Sequence, residues 1–205
     1  MAESRRTHVP LEQRRRELAE TAVTVMARDG AWALTTRAVA KEAGVPHGTV
    51  HYAFSSKNEL LRAVMRLDLS HLAELAATQR EREIENREDV RAALAEIFRD
   101  YAESVIADPD TETAYFELSL MAARDAELRV LSGQSQGEYR AVVVELLTDM
   151  AERTGLTWDA GVVVVAEQAL SGLFGAAVAW LEHRDDALFR EVLEDAAKML
   201  ARRLG

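Results

Sequence analysis

Three prolines, at positions 10, 46 and 109, are the only residues of their kind in a chain of 205, and ten glycines complete its strong helix breakers. Ala, Leu, Glu and Arg fill the intervals, and these side chains lose little freedom on entering a helix. Long runs of that make-up, broken so rarely, predict an all-α fold with no sheet. With 48% apolar residues the chain can bury an ordinary core as one or two domains.

The spacing of Leu18, Ala22, Val25 and Met26 predicts a first helix over Leu11–Asp29, stopped by Gly30. Thr36 is placed to cap a short helix over 37–43, which Gly44 ends in a tight turn. Pro46 opens a second short helix, His47–Ala53, because a missing N–H costs nothing in a first turn. Ser55 and Ser56 cap a fourth helix that runs from Lys57 to about residue 80. Five more helices follow, striped by Leu94, Ile97 and Val105, by Leu120 and Met121, by Val142, Val143, Leu146 and Leu147 up to Gly155, by the apolar run 160–181, and by Phe189, Leu193, Ala197 and Leu200.

The chain has no Cys, which removes disulfides, thiolate nucleophiles and Cys-based zinc sites together and suits a reducing compartment. Its first residues carry Arg where a secretory leader needs an apolar stretch, so a cytoplasmic location is expected. The formal charge of −10 conceals a polarity. Residues 1–66 hold 11 Lys and Arg against 7 Asp and Glu, and the remainder holds 14 against 28. A basic head on an acidic body suits a polyanionic partner for the head. Arg5, Arg6, Arg14, Arg15 and Arg16 read either as a phosphate-seeking arm or as a solvated helix start.

Two short helices joined at Gly44, with a longer helix on each side, make a helix-turn-helix arrangement. The second short helix of such a unit enters the major groove of duplex DNA. Here it offers small or hydrogen-bonding groups at His47, Gly48, Thr49, His51 and Tyr52, while Val50 and Phe54, four apart, face inward. His47 and His51 also have the spacing of a metal-binding pair, but only Glu42 and Glu59 are near enough to complete a site, so no metal is expected.

The stretch TTRAVAKEAGVPHGTVHYAFSSKNELL resembles the DNA-binding domain of TetR-type transcriptional regulators, in which T-x-x-x-[LIV]-A-x-x-A-G-V precedes G-T-[LIV]-Y-x-H-F-x-x-K-x-x-L. The resemblance implies that Thr36 and Arg37 meet phosphate and groove edge, that His47 faces bases, that Gly48 and Thr49 form the G-T step with Thr49 on phosphate, that Tyr52, one position after the usual Tyr, contacts DNA, and that Lys57 lies near the DNA backbone. Two positions depart from the pattern: His51 stands in place of the usual Tyr and Ala53 in place of a frequent His. The implied organisation is a helix-turn-helix domain over 1–56 and a helical ligand-binding and dimerisation domain over 57–205, with the helix from 57 as connector.

The run 160–181 is apolar almost all round, as in a membrane span or a helix buried on two sides. Glu167 and Gln168 lie near its middle, where lipid penalises a charge by about 2.5 to 3.5 kcal/mol. Burial on two sides is therefore the expectation, with no membrane, and a second copy covers what one small chain cannot. A homodimer is predicted through the last two helices, with Val164, Gln168, Ser171, Gly172, Gly175, Val192, Ala196 and Met199 at the interface.

Phe98, Tyr101, Tyr115, Phe116, Met121, Met150, Phe174 and Trp180 are candidates to line a ligand cavity, against the default that each fills core space. His71 and Glu117 are polar groups on apolar helices, placed either to orient a ligand or to meet solvent. The expected function is sequence-specific binding to a palindromic double-stranded DNA operator as a repressor released by a small-molecule effector, with no cofactor. An activator of the same fold and a protein-docking helical module are the alternatives. An enzyme is not expected: the sequence has no Cys, no Glu-x-x-His pair, no Gly-rich phosphate loop and no Ser-centred nucleophile motif.

Overall fold

The computed structural model describes residues 10–205; Arg5, Arg6 and the side chain of His71 lie outside the described residues. The described chain forms α1 (Leu11–Asp29), a one-turn 3-10 helix (Ala31–Ala33), α2 (Thr36–Glu42), α3 (His47–Ala53), α4 (Lys57–Arg80), α5 (Arg87–Ala107), α6 (Pro109–Arg124), α7 (Ala126–Thr154), α8 (Val162–His183) and α9 (Asp186–Ala201). No strand forms among the described residues, where an isolated bridge joins Trp158 and Leu204. The all-α expectation holds. The 3-10 turn after α1 is an addition to it, because three residues are too few for a periodic signal.

Helix ends follow the local chemistry. The cap of α2 is Thr35 rather than Thr36: its side chain accepts from the Ala38 N–H at 3.0 Å, which leaves Thr36 as the first helical residue with its hydroxyl free for another partner. Pro46 occupies the cap of α3, and the helix spans His47–Ala53 as expected. Gly44 sits at φ 63°, a left-handed conformation in which a Cβ would be strained, and this is what lets α2 turn sharply into α3. Asn86 and Asp89 form a reciprocal capping box at α5.

The chain divides into two compact units, one comprising the described residues up to Asp68 with Thr113–Ser132, the other Leu69–Glu112 with Gly133–Gly205. In the first, Leu18, Val25 and Met26 of α1 share a core with Val39 of α2, Val50 of α3, Phe54, Leu60 and Leu61 of α4, and Leu118 and Met121 of α6. Removing this much apolar surface from water holds two helices of seven residues that would not persist alone. In the second unit α9 packs on α5 and α8. Trp180 stacks on Phe189 with ring centroids 5.6 Å apart and donates from Nε1 to Asp186 at 2.9 Å.

Candidate nucleic-acid interface

One side of α3 is fixed by the core, and this dictates what the other side shows. Val50 and Phe54 are fully buried and Ala53 nearly so, which turns His51 and Tyr52 outward; Tyr52 is 79% exposed. Gly48 is open, and His47 and Thr49 are half-buried at the start of the helix. From α2, Arg37 is exposed and Thr36 half-buried. Lys57 is partly buried at the start of α4, and that burial holds its ammonium below the ordinary lysine range. Every residue proposed from the sequence to touch DNA thus belongs to the first unit, and none is sealed in its core.

Two networks in the first unit hold α3 and its neighbours. Glu59 accepts from the backbone N–H and the hydroxyl of Ser55, at 2.7 and 2.8 Å, and from Arg15 of α1 at 2.5 Å. These donors, the Ser55 pair above all, pull its carboxyl down to about 2. The same Arg15 lies over the Phe54 ring, 5.0 Å from its centroid. At the far end of α1, Arg28 pairs with Asp29 at 2.8 Å and with Glu42 of α2 at 2.6 Å, and both partners hold its guanidinium above its usual range.

Part of this is legible in the sequence. Ser55 and Ser56 stand before α4 as caps, and Ser56 Oγ accepts the Glu59 N–H at 3.1 Å. The partner of Glu59 is not legible, because Arg15 lies 44 residues away. Of the described arginines at the start of α1, Arg14 pairs with Glu17 at 2.9 Å and Arg16 with Glu20 at 3.0 Å.

The side chains of α2 and α3 also meet each other. His47 Nε2 lies 3.1 Å from Thr36 Oγ1, and the His47 and His51 rings meet edge to face, 4.4 Å apart at 75°. Partial burial, then the neighbouring His51 and Arg37, hold the His47 imidazole below its ordinary range, so it stays neutral near pH 7. Among the described residues no group of three or more His, Cys, Asp or Glu is positioned to hold a metal ion.

The ligand candidates divide between the units. Tyr115, Phe116 and Met121 belong to the first, where Met121 is in the core and Tyr115 packs against it. Phe98, Tyr101, Met150, Phe174 and Trp180 belong to the second, where Met150 is fully buried and the Tyr101 hydroxyl donates to Glu112 at 2.6 Å. Glu117 is engaged within the first unit, where its carboxylate accepts the Ala31 N–H.

The α8 and α9 candidates form an uncovered face in the second unit. Val164, Val192 and Met199 are 50%, 45% and 55% exposed. Gln168, Ser171, Gly172 and Gly175 are exposed too, and Ala196 is half-buried. By length and composition α8 is able to cross a membrane, and only 33% of its most apolar stretch is buried. Its mid-helix polar groups are engaged within the unit, Glu167 with Arg140 at 2.5 Å and Gln168 with Arg203.

Comparison with known proteins agrees with this geometry. Residues 18–64 match the family of bacterial regulatory proteins described as the tetR family. The chain is 29% identical over 140 residues to the HTH-type nicotine-responsive transcriptional repressor HdnoR of Paenarthrobacter nicotinovorans, spanning 68% of this chain and 70% of that one. It is 32% identical over 121 residues to the HTH-type transcriptional regulator BetI of Rhizobium meliloti, spanning 58% of this chain and 56% of that one. Its fold matches the transcriptional regulator FadR of Bacillus subtilis, solved in complex with stearoyl-CoA, with a TM-score of 0.69 at 17% identity over 90% of this chain and 96% of that one. With its outward-facing second short helix carried by the matched segment, residues 18–64 form a DNA-binding domain of the tetR family, in a chain similar to transcriptional regulators of that kind.

Proposed function

We propose that the protein is a homodimeric repressor that binds a palindromic operator and leaves it when a small molecule occupies the helical body. The observation that carries this reading is α3 itself: a buried Val50, Ala53 and Phe54 beneath an outward row of His47, Gly48, Thr49, His51 and Tyr52. In this reading residues 1–56 are the reading head, and 57–205 hold the effector and the partner copy. Two heads about 34 Å apart engage successive major grooves, and linking two weak contacts raises affinity without a new one. Pairing is supported by the exposed apolar row on α8 and α9, and nothing within 4 Å would obstruct a Cβ at Gly172 or Gly175. A self-complementary surface of this kind closes by twofold symmetry.

Repression is supported by the likeness to a nicotine-responsive repressor, and release by a small molecule by that likeness and by the stearoyl-CoA complex of a protein with the same fold. A ligand that prefers one packing of the body shifts the head equilibrium by its difference in affinity for the two states. The test is capture of duplex fragments from the source genome at low and high salt, followed by transcript measurement after gene deletion. Steeply salt-dependent capture with a rise in adjacent transcripts is expected. A fall in those transcripts makes the protein an activator, and no capture at any salt removes the reading.

A further inference from the structure

We propose that Thr36 is a positioning residue for sequence reading, holding the His47 ring so that Nδ1 is the atom presented to a base edge. This rests on α3 being the reading helix.

Thr36 heads α2 and His47 heads α3, eleven residues apart, and the Gly44 turn brings Oγ1 and Nε2 within 3.1 Å. Because Thr35 performs the capping of α2, the Thr36 hydroxyl is left for this contact. His51, one turn further along α3, also packs on the ring, 4.4 Å away in an edge-to-face arrangement. A surface histidine otherwise samples several rotamers, and each one fixed in advance lowers the ordering cost of binding.

The chemistry follows from atom inventory. A neutral imidazole has one N–H donor and one bare nitrogen acceptor. With Nε2 engaged by a hydroxyl, Nδ1 alone remains for a base, and its character is the converse of that of Nε2. If Thr36 donates, Nδ1–H seeks the acceptors of the major groove, N7 and O6 of guanine, N7 of adenine or O4 of thymine. If His47 donates, Nδ1 is bare and seeks the amino groups of cytosine or adenine. A threonine whose hydroxyl contacts phosphate instead carries no sequence information. The two roles therefore differ in what their loss does to base preference.

The experiment is selection from a randomised duplex library with the full-length wild-type chain and with T36V, T36S and H47A, each first checked by thermal melting. The valine keeps the branched shape without the hydroxyl, and the serine keeps the hydroxyl. The wild type is expected to select a site in which H47A and T36V relax preference at the same base pair, T36V by about two- to tenfold, the range of one net hydrogen bond, with T36S close to wild type. The identity of that base, acceptor or amino group, reports which partner donates. Uniform weakening of all sequences by T36V, or an unchanged preference, overturns the proposal. Failure of the wild type to enrich any duplex overturns the DNA-reading interpretation of α3 instead, and is read in the same selection.

Discussion

Glu117 Oε2, on α6, accepts the backbone N–H of Ala31 at 2.6 Å, just past the end of α1 and 86 residues away in sequence. Gly30 precedes that donor at φ 86°, and a Cβ on it would lie 3.2 Å from the same carboxylate oxygen. The turn and the acid therefore fit each other. E117A leaves the buried Ala31 amide without its acceptor, and is expected to cost about 1–3 kcal/mol of stability. Urea unfolding checks it, together with faster hydrogen exchange at the Ala31 amide. E117Q keeps an acceptor and is expected to recover most of the loss.

Glu59 supplies an acid-dependent contribution to the first unit. Its carboxyl is pulled from an ordinary 4.5 to about 2, so the folded state favours the ionised form. Stability from this source is complete above the unfolded value and is lost as pH falls from about 4.5 toward 2. The stability difference between wild type and E59Q, followed by circular dichroism, is expected to shrink across that window. A difference that stays constant with pH would mean that the charge is immaterial.

Lys57 and His47 are expected to fail differently as DNA contacts. If Lys57 meets phosphate as proposed, K57A weakens all sequences alike and lowers the slope of log affinity against log salt by about 1. H47A leaves that slope nearly unchanged and alters preference. Fluorescence anisotropy across a salt series separates the two.

Gly172 lies on the exposed face of α8, where a side chain meets nothing within the chain. G172E is expected to leave the fold of one copy intact and, if the proposed dimer forms through this face, to drive its copies apart by placing like charges across the twofold axis. Sedimentation velocity checks the mass, and operator affinity falls with it through lost bivalency.

Gly44 tests the turn. G44A asks a Cβ to adopt φ 63° and is expected to destabilise the head by about 1–2 kcal/mol while leaving open space unfilled. The readout is the unfolding midpoint of the full chain.

What is legible in the sequence is local. Val50 and Phe54 announce their inward direction by a spacing of four, and Ser56 announces the start of α4 by preceding an apolar stripe. Gly44 and Gly155 mark their turns because a left-handed backbone selects glycine. Adjacent threonines defeat the same reasoning at α2, where either one suits the cap and only the backbone angle of Thr35 decides. The Arg15–Glu59, Thr36–His47 and Ala31–Glu117 contacts join different elements, so no sequence periodicity encodes them. Exposure on α8 is legible only as an imbalance: too much apolar surface for one small chain to cover.

Arg14, Arg15, Arg16 and Arg28 all answer carboxylates of their own unit. Four of the eleven Lys and Arg in residues 1–66 are therefore engaged before any nucleic acid arrives. Under the proposed function, a head so constituted is expected to depend on base and shape contacts as well as on charge. It is then expected to linger only where shape and base edges agree with α3.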